Sequence, residues 1–148
     1  MKLQKNTMLA LYSVLEFAAD PTRHVAASVI ADKYGVSQHH LAKVLSELAR
    51  AGIVESVRGV GGGYRFAANA RRLTLMDVVS LFEEPMPTST SVASPADTTP
   101  VDRALDAVLS EIEQIAQATF RSITMATMLR LVDKQSAGAR PPAPVTSA

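Results

Sequence analysis

A basic, polar stretch in the first half of the chain has the residue types needed to bind a charged ligand. Positions 33 to 72 hold seven basic and two acidic residues, a net charge of +5 within a chain whose formal net charge is +1. The stretch contains a run of polar residues, Ser37, Gln38, His39 and His40, followed by Lys43. A glutamine pairs with adenine edges, a serine reaches a base or a phosphate, and a lysine neutralises a phosphate. The stretch therefore predicts a local anionic partner, and its residue types favour DNA.

A run of glycines flanked by arginines is the second candidate binding feature. Arg58 and Arg65 enclose six residues, Gly59, Val60, Gly61, Gly62, Gly63 and Tyr64. Because glycine adopts positive φ without steric cost, the run predicts a tight turn that joins two strands. A narrow glycine tip with an arginine at its base fits a DNA minor groove that would exclude a bulkier loop.

Other chemistries fit these two features less well. The glycine run lacks the Lys-Ser/Thr of a P-loop, and Tyr64 occupies the third glycine position of a dinucleotide-binding motif. His39 and His40 would point about 100° apart on a helix, so they cannot readily share one ion, and we expect no metal site. The sequence has no Ser/His/Asp pattern, carboxylate cluster or cofactor motif that we can place, so we expect the chain not to be an enzyme.

Helical periodicity predicts the elements that position both features. A first helix, capped by Asn6 or Thr7, runs to about residue 19, and a second covers about residues 26 to 34. Gly35 is a left-handed stop, and Ser37 caps a third helix that runs to about residue 51. The predicted buried stripes are Met8, Leu11, Tyr12, Leu15 and Ala19 in the first helix and Leu41, Val44, Leu45 and Leu48 in the third.

Two strands and three further helices follow along the chain. The strands cover residues 53–58 and 64–67, and Thr74 with Asp77 predicts a capping-box start to a helix through Glu83. Residues 85–100 hold four of the eight prolines and seven Ser/Thr residues, which predicts a mobile loop. We expect a long helix over residues 101–117, a short one over about 125–134, and a disordered tail over 135–148.

This order of elements predicts a mainly α fold with a small β-hairpin wing. Three helices followed by a glycine-tipped hairpin form a winged helix-turn-helix, which presents the start of its third helix to the major groove. We therefore assign residues 1–84 to DNA binding and 101–134 to dimerisation. The long helix has near-heptad apolar spacing and must bury its stripe, so we expect a homodimer interface at Leu105, Val108, Leu109, Ile112 and Ile115.

Several motifs together are typical of one known family. They are Tyr34 to Ser37, Leu41 to Leu48, Ala51 to Val54, Ser56 to Tyr64, Leu75 to Val79 and Ile123 to Leu129, with the start Met1-Lys2-Leu3. Over about residues 1–133 the chain resembles the Rrf2 family of bacterial transcription regulators. The resemblance implies a homodimer, here expected to be a repressor, that binds palindromic operators. The DNA-binding residues we predict are Lys5, Ser37, Gln38, His39, His40, Lys43, Arg58, Gly59, Gly61, Gly62, Gly63, Tyr64 and Arg65.

The chain contains no cysteine, which departs from the family pattern. Many Rrf2 members hold an iron–sulfur cluster on three cysteines before the long helix, where the matching loop here has Thr, Ser, Ala and Pro. The position of a further acidic ligand in some members is roughly Met8 here. Because such clusters are held chiefly by thiolates, we expect no iron–sulfur cofactor. Either the natural protein lacks cysteine or its cysteines were removed by engineering.

The expected partners are double-stranded DNA and a second copy of the chain. A small-molecule or protein effector would act through the 85–100 loop or a cavity between the long helix and the winged domain. No apolar run approaches the roughly 20 residues of a membrane span, and we expect a cytoplasmic protein that makes no membrane contact. The alternative function is a winged helix that binds protein without specific DNA binding, a class that commonly loses the basic charge seen here.

Overall fold

The computed structural model of the protein describes residues 2–59, 62–84 and 98–139. Within these ranges the elements are α1 (Lys5–Ala19), α2 (Ala27–Tyr34), α3 (Gln38–Arg50), β1 (Val54–Val57), β2 (Gly63–Phe66), α4 (Leu75–Phe82), α5 (Pro100–Ser122) and α6 (Met125–Gly138). Three helices, a hairpin and three more helices follow one another, which confirms the predicted mainly α fold with a small β-hairpin.

The helix-turn-helix of α2 and α3 forms as the sequence predicts. Gly35 ends α2 with a φ of 65°, and its N–H donates to the carbonyl of Ala31. Ser37 begins α3, where its hydroxyl accepts the backbone N–H of His40 at 3.1 Å. The predicted stripe of α3 is buried, with every side chain at most 2% exposed: Leu41, Val44, Leu45 and Leu48. Burial of this stripe turns the opposite side of α3 outwards.

Helix α1 begins earlier and buries a different face than the sequence predicts. Its N-cap is Gln4, so neither Asn6 nor Thr7 is the cap and both lie within the first turn. The buried apolar side chains are Leu9, Ala10, Leu11, Val14, Phe17 and Ala18, whereas Tyr12 and Ala19 are exposed and Met8 and Leu15 are half-buried. The reason is tertiary. α1 packs against α3, α4, α6 and β2 at once, so its covered face is wider than one stripe.

The hairpin is antiparallel, and its second strand has a further neighbour beyond β1. Tyr64 exchanges backbone hydrogen bonds with Val25 on the free edge of β2, at 2.8 and 2.9 Å. A Cβ on Gly63 would lie 2.4 Å from the carbonyl oxygen of Val25. This close approach of two backbones requires glycine at position 63 and ties the wing to the segment before α2.

The start of α6 completes the core of the winged part. Met125 is fully buried, and its N–H donates to the carbonyl of Leu73 at 2.8 Å. The next residue, Ala126, donates to the carbonyl of Ala70 at the same distance. These bonds dock the C-terminal helices beside α4, which begins with the predicted capping box of Thr74 and Asp77.

Both C-terminal helices are longer than the sequence predicts. α5 begins at Pro100, behind a capping box of Thr99 and Asp102, and continues past the predicted end at 117 to Ser122. α6 continues to Gly138, so the predicted disorder is wrong for residues 135–138. The prolines that suggested disorder begin only at position 141, and Lys, Gln and Ala before them are good helix formers. Residues 85–97 and 140–148, where the predicted loop and the rest of the tail fall, lie outside the described residues.

Candidate nucleic-acid interface

The outer face of α3 carries polar residues that the sequence predicts to bind DNA. Ser37, Gln38, His39 and Lys43 are all exposed, and the apolar stripe on the other side anchors the helix. The N–H groups of the first turn lie at the positive end of the helix dipole, and one of them is bound by the Ser37 hydroxyl. This face can therefore offer hydrogen-bond donors, acceptors and one cation to a groove of DNA.

His40 is less exposed than the three polar residues that precede it. It is half-buried and lines a groove of about 470 Å³ between α1, α3 and the end of α4, together with Asn6, Lys43 and Phe82. Its Nε2 atom is buried and has no hydrogen-bond partner among the described residues. His39 also lines this groove, so the groove borders the polar face of α3. The sequence carried no signal that Asn6 lines this groove, because the contact joins two separate helices.

The two arginines of the wing differ in their partners. Arg58 is exposed just after β1 and has no ion pair within the described part of the chain. The Nε of Arg65 instead donates to the carboxylate of Glu55, which stands directly opposite in the hairpin. Glu55 was not among the predicted site residues, and its only sequence signal was its place among the few acids of the basic stretch.

The described residues of the glycine run contribute in different ways. Gly59 has a φ of 114°, and a Cβ on Gly62 would lie 2.4 Å from the carbonyl oxygen of Val57. Tyr64 is half-buried, with its ring centroid 6.3 Å from that of Phe17, so its ring packs towards the core. Residues 60 and 61, which include the predicted contact Gly61, lie outside the described residues.

The start of α1, where Lys5 is exposed, is held by a carboxylate from the end of α4. The Oε1 atom of Glu83 accepts the backbone N–H of Gln4 at 2.6 Å and the hydroxyl of Thr7 at 2.5 Å. α1 has no side-chain cap bond from its own N-cap residue and no acid in its first turn, so Glu83 supplies both functions from another helix. The sequence did not indicate Glu83, because this bond spans 76 positions.

Both acids of the basic stretch pair with arginines of the same stretch. Glu47 accepts from Arg50 at 3.0 Å, and Glu55 accepts from Arg65. On α1, α3, the wing and the segment that leads into α4, five described cations have no ion pair with another described residue: Lys5, Lys43, Arg58, Arg71 and Arg72. Fewer basic side chains are therefore free to bind an anion than the net charge of the sequence stretch suggests.

A cluster of polar and aromatic side chains joins α2 to α1. The carboxylate of Glu16 accepts from Lys33 and from the hydroxyl of Tyr34, each at 2.5 Å, and the Tyr34 ring stacks on Tyr12 with centroids 4.7 Å apart. Burial raises the pKa of Tyr34, and its bond to the carboxylate raises that pKa further. Burial alone would raise the pKa of Glu16, but the two donated bonds outweigh it and lower the pKa below its ordinary value.

Helix α5 has an apolar stripe that no described part of the chain covers. α5 contacts α4, yet it has no buried residue. The predicted interface residues are all 39% to 61% exposed: Leu105, Val108, Leu109, Ile112 and Ile115. The described chain thus leaves a row of large apolar side chains facing solvent, which marks an interaction surface.

Membrane-spanning helices and metal-ligand clusters are both absent from the described ranges. None of the helices found there is long and apolar enough to cross a membrane. The same residues contain no group of three or more His, Asp or Glu side chains placed to hold a metal ion. Since the chain has no cysteine, its donor set does not fit a thiolate-bound iron–sulfur cluster.

Comparison with known proteins identifies the family of this helix-turn-helix chain. The sequence profile of the Rrf2 family, described as "Iron-dependent Transcriptional regulator", matches residues 3–131. The chain belongs to the Rrf2 family. It is therefore a transcription regulator and not an enzyme, as the sequence predicts.

Relatives and solved structures agree with this membership. The chain is 50% identical over 135 residues to the HTH-type transcriptional regulator BadM of Rhodopseudomonas palustris, covering 91% of this chain and 85% of BadM. The T. potens IscR structure matches with a TM-score of 0.68 and 25% identity, over 95% of this chain and 93% of IscR. CymR, the global cysteine regulator of B. subtilis, shares the fold with a TM-score of 0.71 at 24% identity, over 88% of this chain and 98% of CymR.

Proposed function

We propose that this Rrf2 protein binds double-stranded DNA through α3 and the wing, as a homodimer on a palindromic operator, and represses transcription. The observation that carries the proposal is the exposed polar face of α3, with the unpaired cations Lys43 and Arg58 beside it. In this mode Gln38 and His39 read base edges in the major groove, and Lys43 binds a base or a phosphate one turn further on. Arg58 enters the minor groove at the wing.

The proposed dimer buries the stripe of α5 against α5 of a second copy. Heptad-like spacing along the stripe suits pairing with an identical helix. Across a two-fold axis both subunits use the same surface, so the stripe of one copy packs against the stripe of the other. The same two-fold axis would give the dimer a preference for palindromic sites. Its two recognition helices would lie about 34 Å apart, or a multiple of it, to reach successive major grooves. A dimer seated on an operator blocks access to the DNA beneath it, and for this reason we propose repression.

We further propose that this chain does not bind an iron–sulfur cluster as its regulatory cofactor. The chain lacks cysteine, and hydroxyl and carboxylate groups are poor ligands for soft iron–sulfide centres. The signal would then be a small molecule, a partner protein or none.

Selection of binding sites from random duplexes, followed by affinity measurements at several salt concentrations, tests the DNA proposal. A DNA-binding protein enriches a sequence related by a two-fold axis, and its affinity falls steeply with salt. A chain that selects no sequence and shows no salt-dependent affinity would instead support the alternative, a winged helix that binds protein.

Single variants identify which residues make the contacts. Arg58→Ala should weaken binding, and it should also make the salt dependence shallower if Arg58 neutralises a phosphate. Gln38→Ala should relax preference at one position by about 1–3 kcal/mol if its contact is bidentate. Lys134→Ala, at an exposed position of α6, is the matched control for loss of a charge and should leave binding unchanged. Unchanged operator affinity in both of the first two variants would refute the assignment.

A charged substitution in the α5 stripe tests the dimer. Ile112 is 56% exposed in the single chain, so Ile112→Glu should leave the chain folded while placing a charge in the interface. We expect a monomer by sedimentation and loss of operator binding. Glu111→Gln, the neighbouring exposed position, is the control and should stay dimeric. A wild-type protein that sediments as a monomer at micromolar concentration would contradict the proposal.

A further inference from the structure

The wing contains a carboxylate that the DNA proposal leaves without a role. Glu55 lies on β1, directly opposite Arg65 on β2, and accepts a hydrogen bond from its Nε. We propose that Glu55 limits the sequence-independent affinity of the wing for DNA: by pairing with Arg65 it keeps one of the two wing arginines out of phosphate contact. The inference rests on the proposed function, because it concerns the same DNA-facing wing.

The position of the pair within the hairpin supports this role. In the antiparallel register the next positions on both strands, Val54 and Phe66, are buried, so Glu55 and Arg65 lie on the outer face. Their side chains remain 45% and 46% exposed. The pair is therefore available to solvent and to a ligand, and the core does not depend on it.

The second wing arginine, Arg58, differs from Arg65 because it has no ion pair with a described residue. Arg58 is exposed and has no acidic partner among the residues described, whereas Arg65 is already neutralised across the hairpin. Two arginines at the base of one tip would each attract a phosphate. Arg58, Arg65 and Glu55 together carry a net charge of +1, whereas the two arginines alone would carry +2.

When a DNA backbone approaches, the ion pair of Glu55 and Arg65 either stays intact or breaks. Neither state favours binding through Arg65. If the pair stays intact, it is neutral as a whole and releases no counterion from the DNA. If Arg65 turns to a phosphate, the carboxylate of Glu55 is left without its partner beside a row of negative charges. Arg65 therefore adds little to affinity while Glu55 is ionised.

The consequence concerns affinity rather than the choice of sequence, because phosphate contacts carry no sequence information. A further phosphate contact at Arg65 would strengthen binding to every sequence and would not help to distinguish the operator from competing sites. With or without Glu55, discrimination between sequences then rests on the base contacts of α3.

A double-mutant cycle at Glu55 and Arg65 tests the inference. Affinity for a fluorescently labelled duplex of random sequence is measured for wild type, Glu55→Gln, Arg65→Gln and the double variant, from about 50 to about 200 mM salt. Glu55→Gln should steepen the slope of log affinity against log salt by about 0.9, the value of one phosphate. Over this fourfold salt range its advantage over wild type should then shrink by about 3.5-fold. Arg65→Gln alone should leave the slope unchanged, and the double variant should return to the wild-type slope.

Controls separate this role from a merely structural one and from a general effect of charge. Asp133→Asn on exposed α6 makes the same change in net charge and should not alter the slope. Thermal melts show that each variant is folded. Affinity for the selected operator, measured in parallel, should rise in Glu55→Gln by the same factor as affinity for the random duplex.

The outcomes distinguish this inference from the proposed function. A wild-type chain that shows no salt-dependent affinity for any duplex overturns the proposed function, and this inference falls with it. A wild type that binds DNA, together with an unchanged slope in Glu55→Gln, overturns this inference alone. A slope that falls by about 0.9 in Arg65→Gln alone also overturns it, since Arg65 would then already bind a phosphate in the wild type.

Discussion

Removal of the Glu83 carboxylate should destabilise the protein more than its position at the end of a helix suggests. In the folded chain one oxygen of Glu83 accepts both the Gln4 N–H and the Thr7 hydroxyl, and α1 has no side-chain cap bond from its own N-cap residue. Thr7 is completely buried in the folded chain, and its hydroxyl donates to Glu83. Glu83→Ala therefore removes a helix cap and leaves a buried donor unpaired.

The expected magnitude follows from these contacts. Loss of a helix cap costs about 1 kcal/mol, and an unsatisfied buried hydroxyl costs about 1–3 kcal/mol. The carboxylate also interacts with the α1 dipole, an effect of about 0.3–1 kcal/mol. Because these effects share one oxygen and overlap, we expect Glu83→Ala to lower the free energy of unfolding by about 2–3 kcal/mol. Glu83→Gln keeps an acceptor and should lose only about 1 kcal/mol.

Urea unfolding followed by circular dichroism measures this change, with the adjacent exposed residue as control. Glu84→Ala removes the same type of side chain one position later and should change stability by about 0.5 kcal/mol or less. Thr7→Val combined with Glu83→Ala should cost less than the sum of the two single changes, because they remove one shared bond. Equal stabilities for Glu83→Ala and Glu84→Ala would refute the reasoning.

Three further predictions concern the wing, the α1–α2 contact and iron. Gly63→Ala should unfold at lower temperature than wild type, since its Cβ would lie 2.4 Å from the Val25 carbonyl oxygen; a matching melting temperature would contradict that packing. The lowered pKa of Glu16 means that its bonds to Lys33 and Tyr34 stabilise the fold above its ordinary pKa and are lost as pH falls through the folded value. Between about pH 7 and about pH 3, wild type should therefore lose more of its unfolding free energy than Glu16→Gln, and parallel losses would contradict this. Aerobically purified protein should bind DNA, and anaerobic reconstitution with iron and sulfide should give no stoichiometric iron. A visible charge-transfer band with stoichiometric iron would reverse this last expectation.

Local patterns were sufficient to predict most of the winged part. The α3 stripe, the Gly35 stop, the Ser37 cap and the Thr74–Asp77 capping box all form as predicted. Each depends on residues within a few positions of one another, and the physical rule involved, a periodicity or a cap, is itself local. For the same reason the sequence identified the exposed polar residues of α3, since they are what remains once the buried stripe is known.

Only the tertiary structure decided which faces and charges are free. The covered face of α1, the cap that Glu83 provides and the half-buried position of His40 all depend on helices that meet from distant parts of the chain. The pairing of Arg65 with Glu55 likewise needs the register of the hairpin, which net charge along the sequence does not contain. By itself, then, the sequence determined the order of elements, the regulator family and the absence of thiolate ligands. Tertiary contacts decided which side chains a partner can reach, because exposure and pairing are properties of residues that are neighbours in space rather than along the chain.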